Sequence, residues 1–253
     1  MPWLSPGLDP VSLNPLSGID KRPVAGPTRA NDSRPSRAAL AVIAVVRGPV
    51  RARVGLAALA FVVVYIVAVG TAPGRHIDVL LLRVDFGSGP LYRAAAQLLE
   101  AITWLSVGAS GIAIALWALR RDGAGRAGRI LVGLAGTYAS SLAISLVLER
   151  VDPLGGEAQR HAGGFYPSGH AAMVAALALA AVATAPATMR GFVAVLAAVA
   201  VATVGVVIVV LHSHYPSDVV GGWLLAAACM AAALESSRGG TEHQPRRACE
   251  RLY

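Results

Sequence analysis

An all-α, polytopic membrane protein folded as a six-transmembrane-helix bundle is the fold class this sequence predicts, on three observations. Only 14% of the 253 residues are charged and 55% are hydrophobic, whereas a soluble domain carries roughly 25% charged residues. Six apolar windows follow one another along the chain. Arginines crowd alternate connections between them, the pattern of segments retained on the cytoplasmic side. One such window would suit a buried helix of a soluble protein. Six in series, separated by arginines, do not.

The elements follow in order. Residues 1–37 are rich in Pro, Ser, Gly and Asp without a helical period, which predicts a disordered cytoplasmic tail. This tail lacks the basic-then-apolar layout of a cleavable signal. The membrane domain is expected over 38–235 and a cytoplasmic tail over 236–253. "ALAVIAVV", Ala39–Val46, is too short to cross; it is expected at the interface or as an extension of the first span. Four windows have no charged residue at all: Val54–Ala72, Ala101–Leu119, Ile130–Leu148 and Gly191–Leu211. Each is near the ~20 residues that a helix needs to cross the hydrocarbon core. His170–Ala187 and Val219–Leu234 are shorter and complete the six. Between the first two spans, "IDVLLLRV" clusters its apolar residues between Asp78 and Arg83 and predicts a short surface helix.

Positive charge sets the orientation. Arg47, Arg51 and Arg53 precede the first span, Arg120, Arg121, Arg126 and Arg129 follow the second, Arg190 follows the fourth, and Arg238, Arg246, Arg247 and Arg251 follow the last. With six spans all of these fall on one side, so both termini are expected in the cytoplasm of a cell membrane, plasma or inner. The net charge of +8 is then mostly a topology signal. Scattered along loops and tails, it does not form a nucleic-acid surface. Cys229 and Cys249 fall in the last span and the inner tail, where no disulfide is expected.

Two polar stretches interrupt the apolar pattern on the other side. "GGFYPSGHAAM", Gly163–Met173, places a histidine at the mouth of the fourth span, and "LHSHYPSDVVGGW", Leu211–Trp223, does the same before the sixth. Ionisable groups at membrane depth are costly and more often functional than structural. Ser168 suits an N-cap, Gly169 lets the backbone approach a ligand, and the free N–H groups of the helix start attract an oxyanion. His214 precedes Asp218 by four residues, within reach across one helical turn. A carboxylate that accepts the Nδ1 proton fixes the tautomer and leaves Nε2 free to attack or to take a proton. An anion cradle, one histidine as proton donor and one carboxylate-backed histidine as nucleophile suit phosphoryl transfer.

At these residues the chain resembles the membrane branch of the type 2 phosphatidic acid phosphatase superfamily, which also contains polyprenyl-pyrophosphate phosphatases. Its second motif, Pro-Ser-Gly-His, stands complete at Pro167–His170, and the His-x3-Asp half of its third motif stands at His214 and Asp218. The first motif, Lys-x6-Arg-Pro, keeps only Arg150: Ala143 stands in the lysine's place and Val151 in the proline's. The Ser-Arg of the third motif falls on Val207 and Ile208. Two cationic phosphate ligands of the family are therefore replaced by apolar residues.

The resemblance implies hydrolysis of a lipid phosphate or polyprenyl diphosphate at the outer face, through a phosphohistidine. His214 attacks phosphorus, Asp218 orients it and His170 protonates the leaving oxygen. Ser168, Gly169 and Arg150 hold the phosphoryl oxygens, with His212, Arg160 and His161 as the nearby groups able to compensate. No cofactor or metal is implied; the outer loops hold neither HExxH nor a cysteine pair. The implied partners are the bilayer and its lipid phosphate, with no nucleic acid, and the oligomeric state is left open. Two other readings stay beside this one: a catalytically silent member that binds lipid phosphates and, on weaker grounds, a transporter.

Overall fold

The computed structural model describes residues 50–82, 89–148 and 165–235, all within one compact unit, Val42–Tyr253. The expected tails, "ALAVIAVV", Arg150, Arg160 and His161 lie outside the described residues. Eight helices are present among those residues. They are α1 (Val50–Val64), α2 (Ala72–Leu82), α3 (Pro90–Ala101), α4 (Trp104–Asp122), α5 (Ala124–Val147), α6 (Gly169–Thr184), α7 (Arg190–Val210) and α8 (Pro216–Glu235). α1 continues as a π-helical segment, Tyr65–Val69, in which the Gly70 N–H reaches the Tyr65 carbonyl five residues back (3.0 Å).

Six of these helices fall on the six apolar windows: α1 with its π segment, α4, α5, α6, α7 and α8. Four are long and apolar enough to span a membrane: Arg51–Val69, α5, α7 and α8. α3 and α4 together make a fifth candidate, bent by 62°. The break is written locally, since Thr103 caps α4 afresh by accepting from the Ser106 N–H (3.1 Å). α6 has 16 residues, about 24 Å at 1.5 Å per residue, against ~30 Å of hydrocarbon. Length and composition thus give a multi-pass membrane protein with, among the described residues, four spans, or five with the bent pair, plus one shorter apolar helix.

α8 is the centre of the bundle, packing on α1, α5 and α6. The contacts rest on small side chains: Ala118, Ala172, Ala176, Ala180 and Ala226 are fully buried. Lipid is as apolar as leucine, so helices in a membrane associate by close approach, and small residues permit it. Large side chains instead point outward, among them Leu59, Ile66, Leu105, Phe192 and Val199. α2 is the expected short helix. It turns Asp78, Val79 and Leu82 inward and leaves Ile77, Leu80 and Leu81 exposed.

Chain direction alternates through the six apolar helices, which gathers like ends together. One end collects the start of α6, the start of α8 and Trp104. The other holds the Arg53–Glu235 ion pair (3.1 Å) and two arginines that satisfy the last carbonyls of α6. Arg121 donates to Thr184 O (3.1 Å) and Arg126 to Ala183 O (2.8 Å). Uncapped carbonyls carry the negative end of a helix dipole, so cations there are favourable.

Candidate active site at the end of α6 and α8

The turn before α6 is held from three sides. Tyr166 is fully buried, sits 5.1 Å from the Phe61 ring and 5.2 Å from that of Tyr65, and donates its hydroxyl to the Phe61 carbonyl (3.1 Å). The Tyr166–Pro167 peptide is cis. Ser168, also fully buried, is the N-cap of α6 and accepts from the Ala171 N–H (3.4 Å). Its own N–H donates to the Asp218 carbonyl (3.0 Å). The two histidine motifs, some fifty residues apart in sequence, are therefore joined by a direct backbone hydrogen bond.

That bond requires a close approach of α8 to the turn, and two adjacent glycines permit it. A Cβ on Gly222 would stand 2.7 Å from the Ser168 carbonyl oxygen and 2.9 Å from the Ala172 nitrogen. One on Gly221 would stand 2.5 Å from the Tyr166 ring. Neither position has room for a side chain.

His170 and His214 line one cavity of about 280 Å³, walled by Trp104, Tyr138, Ser141 and Phe165. The His170 ring stacks on Trp104 (5.5 Å between centroids, 28° between planes), and Trp104 meets Tyr138 edge-on at 5.2 Å. The break before α4 thus supplies the platform that orients His170. Gly169 also lines the cavity, and a Cβ there would meet Ser141 Oγ and the Trp104 ring at 3.7 Å. The protein itself tolerates a side chain at this position, so a need for glycine would come from a ligand.

His214 Nδ1 lies 3.5 Å from Asp218 Oδ2, within ion-pair range but long for a hydrogen bond. Nδ1 is buried and makes no hydrogen bond. The carboxylate is almost wholly buried, and Oδ2 accepts from the Tyr215 N–H (3.0 Å). The pair is poised rather than closed; apo geometry is commonly looser than that of the working complex.

A residue that sequence reasoning did not single out secures this end of α8. Asp78 of α2 is buried, accepts from the Ser217 N–H (3.2 Å) through Oδ1 and from the Ser217 hydroxyl through Oδ2. A carboxylate at a helix N-terminus satisfies orphan N–H groups and complements the dipole. The available signal was an acid directly before the apolar run Val79–Leu82. Trp104, Tyr138 and Ser141, the cavity walls, gave no signal: each sits inside an apolar window as an ordinary helix residue.

Among the expected phosphate ligands, Ser168 serves as the cap of α6 and His212 lies in the turn after α7, with a left-handed φ of 53°. Neither lines the cavity, whereas Gly169 does. Val207 and Ile208, in the positions of the family's Ser-Arg, are both buried. Ile208 packs with Ala171, Val204 and Val219. Among the described residues no arginine lines this cavity, and no three His, Cys, Asp or Glu side chains stand together as a metal site.

Fold and site together define a multi-pass α-helical membrane protein with a histidine pair at the helix ends of one face. Residues 147–239, which contain both histidine motifs, match the model of the PAP2 superfamily. The similarity to that superfamily rests on this segment. Among solved structures it is similar to the crystal structure of a transmembrane PAP2 type phosphatidylglycerolphosphate phosphatase from Bacillus subtilis. The TM-score is 0.62 at 18% identity, over 76% of this chain and 98% of that one. No curated protein matches the chain.

Proposed function

We propose that the protein is a membrane phosphatase that hydrolyses a lipid phosphate or polyprenyl diphosphate at the outer face, without a metal. The observation that carries this reading is His170 and His214 facing one cavity beside a capped helix start, with Asp218 behind His214. His214 Nε2 attacks phosphorus as the bond to the leaving oxygen breaks, and His170 gives that oxygen its proton. Water activated by His170 then cleaves the phosphohistidine, releasing phosphate and restoring His214. Asp218 holds the Nδ1 proton and stabilises the imidazolium. The family-model match over residues 147–239 and the fold shared with a membrane phosphatase both support a phosphatase in general. Arg150 and Arg160 complete the proposed ligands of the phosphoryl oxygens.

The second reading, a silent binder of lipid phosphates, is favoured by one observation: apolar Val207 and Ile208 are packed in the core where the family pattern has Ser-Arg. A transporter would place helix breaks near mid-membrane, but the α3–α4 bend lies at the bundle end, next to His170.

The deciding experiment is phosphate release by purified protein in detergent, with chelator present. The panel is phosphatidate, a polyprenyl diphosphate and a phosphorylated lipid-linked sugar. Release is expected from at least one, and His214→Ala and His170→Ala each abolish it while the protein still folds. Asp218→Asn is severe, since it disturbs the tautomer and removes the charge behind the imidazolium. Undiminished turnover by His214→Ala removes the phosphohistidine mechanism. No release from any lipid, with retained binding of phosphate analogues, establishes the silent binder.

A further inference from the structure

A second cavity, of about 510 Å³, opens at the end of the bundle opposite the histidine pair. Its volume falls within the ~300–1,000 Å³ typical of small-ligand sites. Arg53, Arg126 and Arg190 enter it from α1, α5 and α7, against the single carboxylate of Glu235 among the described residues. Glu235 is engaged by Arg53 at 3.1 Å. Arg126 gives one nitrogen to the Ala183 carbonyl at 2.8 Å and, with five N–H donors on a guanidinium, keeps others. Arg190 is exposed and among the described residues has no carboxylate partner. Two of the three guanidinium charges are thus left without an acid.

Helix ends add to this field. α5 and α7 both begin here with no side-chain cap and no acid in the first turn. Uncapped N-termini present free N–H groups and the positive end of the dipole, which suits an oxyanion. The remaining wall is apolar and includes Leu179, Val182 and Leu234. An anion with a hydrocarbon body fits both parts of that lining; a free carboxylate metabolite fits only one.

We propose that this cavity binds the phosphate group of an acidic phospholipid headgroup, at the bundle face remote from the histidine pair. The arginine distribution assigns that face to the inner leaflet, where juxtamembrane basic residues are attracted to anionic lipid. This inference is independent of the phosphatase reading.

The test is thermal unfolding of the full chain in mixed micelles containing phosphatidylglycerol or, at equal mole fraction, phosphatidylcholine; a third arm adds sodium phosphate alone. Phosphatidylglycerol is expected to raise Tm by several degrees over phosphatidylcholine. The rise should persist in His214→Ala, which separates it from binding at the histidines, and vanish in the Arg126→Gln/Arg190→Gln double variant. A rise with sodium phosphate alone, lost in the same double variant, supports the phosphate site and assigns it to the soluble ion. Because Arg126 also holds the end of α6, Arg190→Gln is titrated separately and should weaken the lipid effect about five-fold. An unchanged midpoint in Arg190→Gln, or an equal rise in the wild type and the double variant, overturns the proposal.

Discussion

A single position, Gly222, governs how closely α8 approaches the Ser168 turn, and a single arginine, Arg150, is proposed to meet the phosphoryl group. With Ala143 and Ile208 in place of the family's lysine and arginine, Arg150 is the proposed principal fixed charge on the phosphoryl group. Phosphoryl transfer depends chiefly on electrostatic stabilisation, and one preorganised donor is typically worth ~10²–10³ in rate. Arg150→Ala is therefore expected to lower release from the best lipid substrate by at least that factor. Arg150→Lys should restore it only in part, because an ammonium cannot make the forked contact. Restoring the family's cation at 208 is a different matter. Ile208 is 1% exposed and enclosed by apolar side chains, so Ile208→Arg puts an unpaired charge into the core and lowers stability. At Gly222 the constraint is steric. The nearest atoms to an added Cβ are backbone, at 2.7 and 2.9 Å, and backbone cannot rotate away. Gly222→Ala is expected to cost about 1–3 kcal/mol, the usual range for overpacking, and to separate Ser168 from Asp218. A lowered Tm together with reduced release checks this; wild-type values for both would show that α8 can shift without consequence.

At the scale of the element, α8 is the helix on which the site depends, and its first turn is held by groups distant in sequence. Ser217 is fixed by Asp78 of α2, 139 residues away. Asp218 follows it directly and backs His214. Hydrogen bonds to a charged group contribute about 1.5–3 kcal/mol each. Asp78→Asn keeps the size but loses the charge, and is expected to lower Tm and to reduce release through displacement of His214. A double-mutant cycle with Ser217→Ala separates the contributions: residues in one network are non-additive, so the second change should cost little once the first is made. Full additivity of the two losses would show that the contact seen between them contributes nothing.

For the whole molecule, alternating chain direction brings both histidine motifs to one end and the described starts of α1, α5 and α7 to the other. Which end faces the cytoplasm is predicted by the arginines. Reporter fusions after Arg126 and after Gly155 are expected to report opposite sides, with Arg126 inside. Same-side signals would overturn the topology and the proposed outer location of the site. The 16-residue α6, about 24 Å long, is shorter than the ~30 Å hydrocarbon core. Mismatch of this kind is accommodated by local thinning.

Composition and periodicity are local quantities, and what they predict here is what local quantities can settle. Windows without charge locate the six apolar helices, because a charged side chain in hydrocarbon is costly wherever the helix packs. The Ser168 cap was equally legible, since an N-cap is decided within four residues. So was the spacing of His214 and Asp218, one helical turn apart on the same chain segment. Other features depend on which surfaces meet, and these became visible only in three dimensions. Asp78 marked only the edge of an apolar run until α2 folded against the start of α8. Gly221 and Gly222 carried no mark of their role in the sequence, yet they are the surface on which the Ser168 turn rests. Trp104 carried no mark of function within its apolar window; a break at Ile102 and Thr103 turned it onto His170. Ile208 matched a position where the family has a cation, yet its apolar neighbours had already made that position part of the core. Helix formation and membrane insertion follow from each segment's own side chains, while a site at helix ends is made by contacts between segments, and only the tertiary fold chooses those.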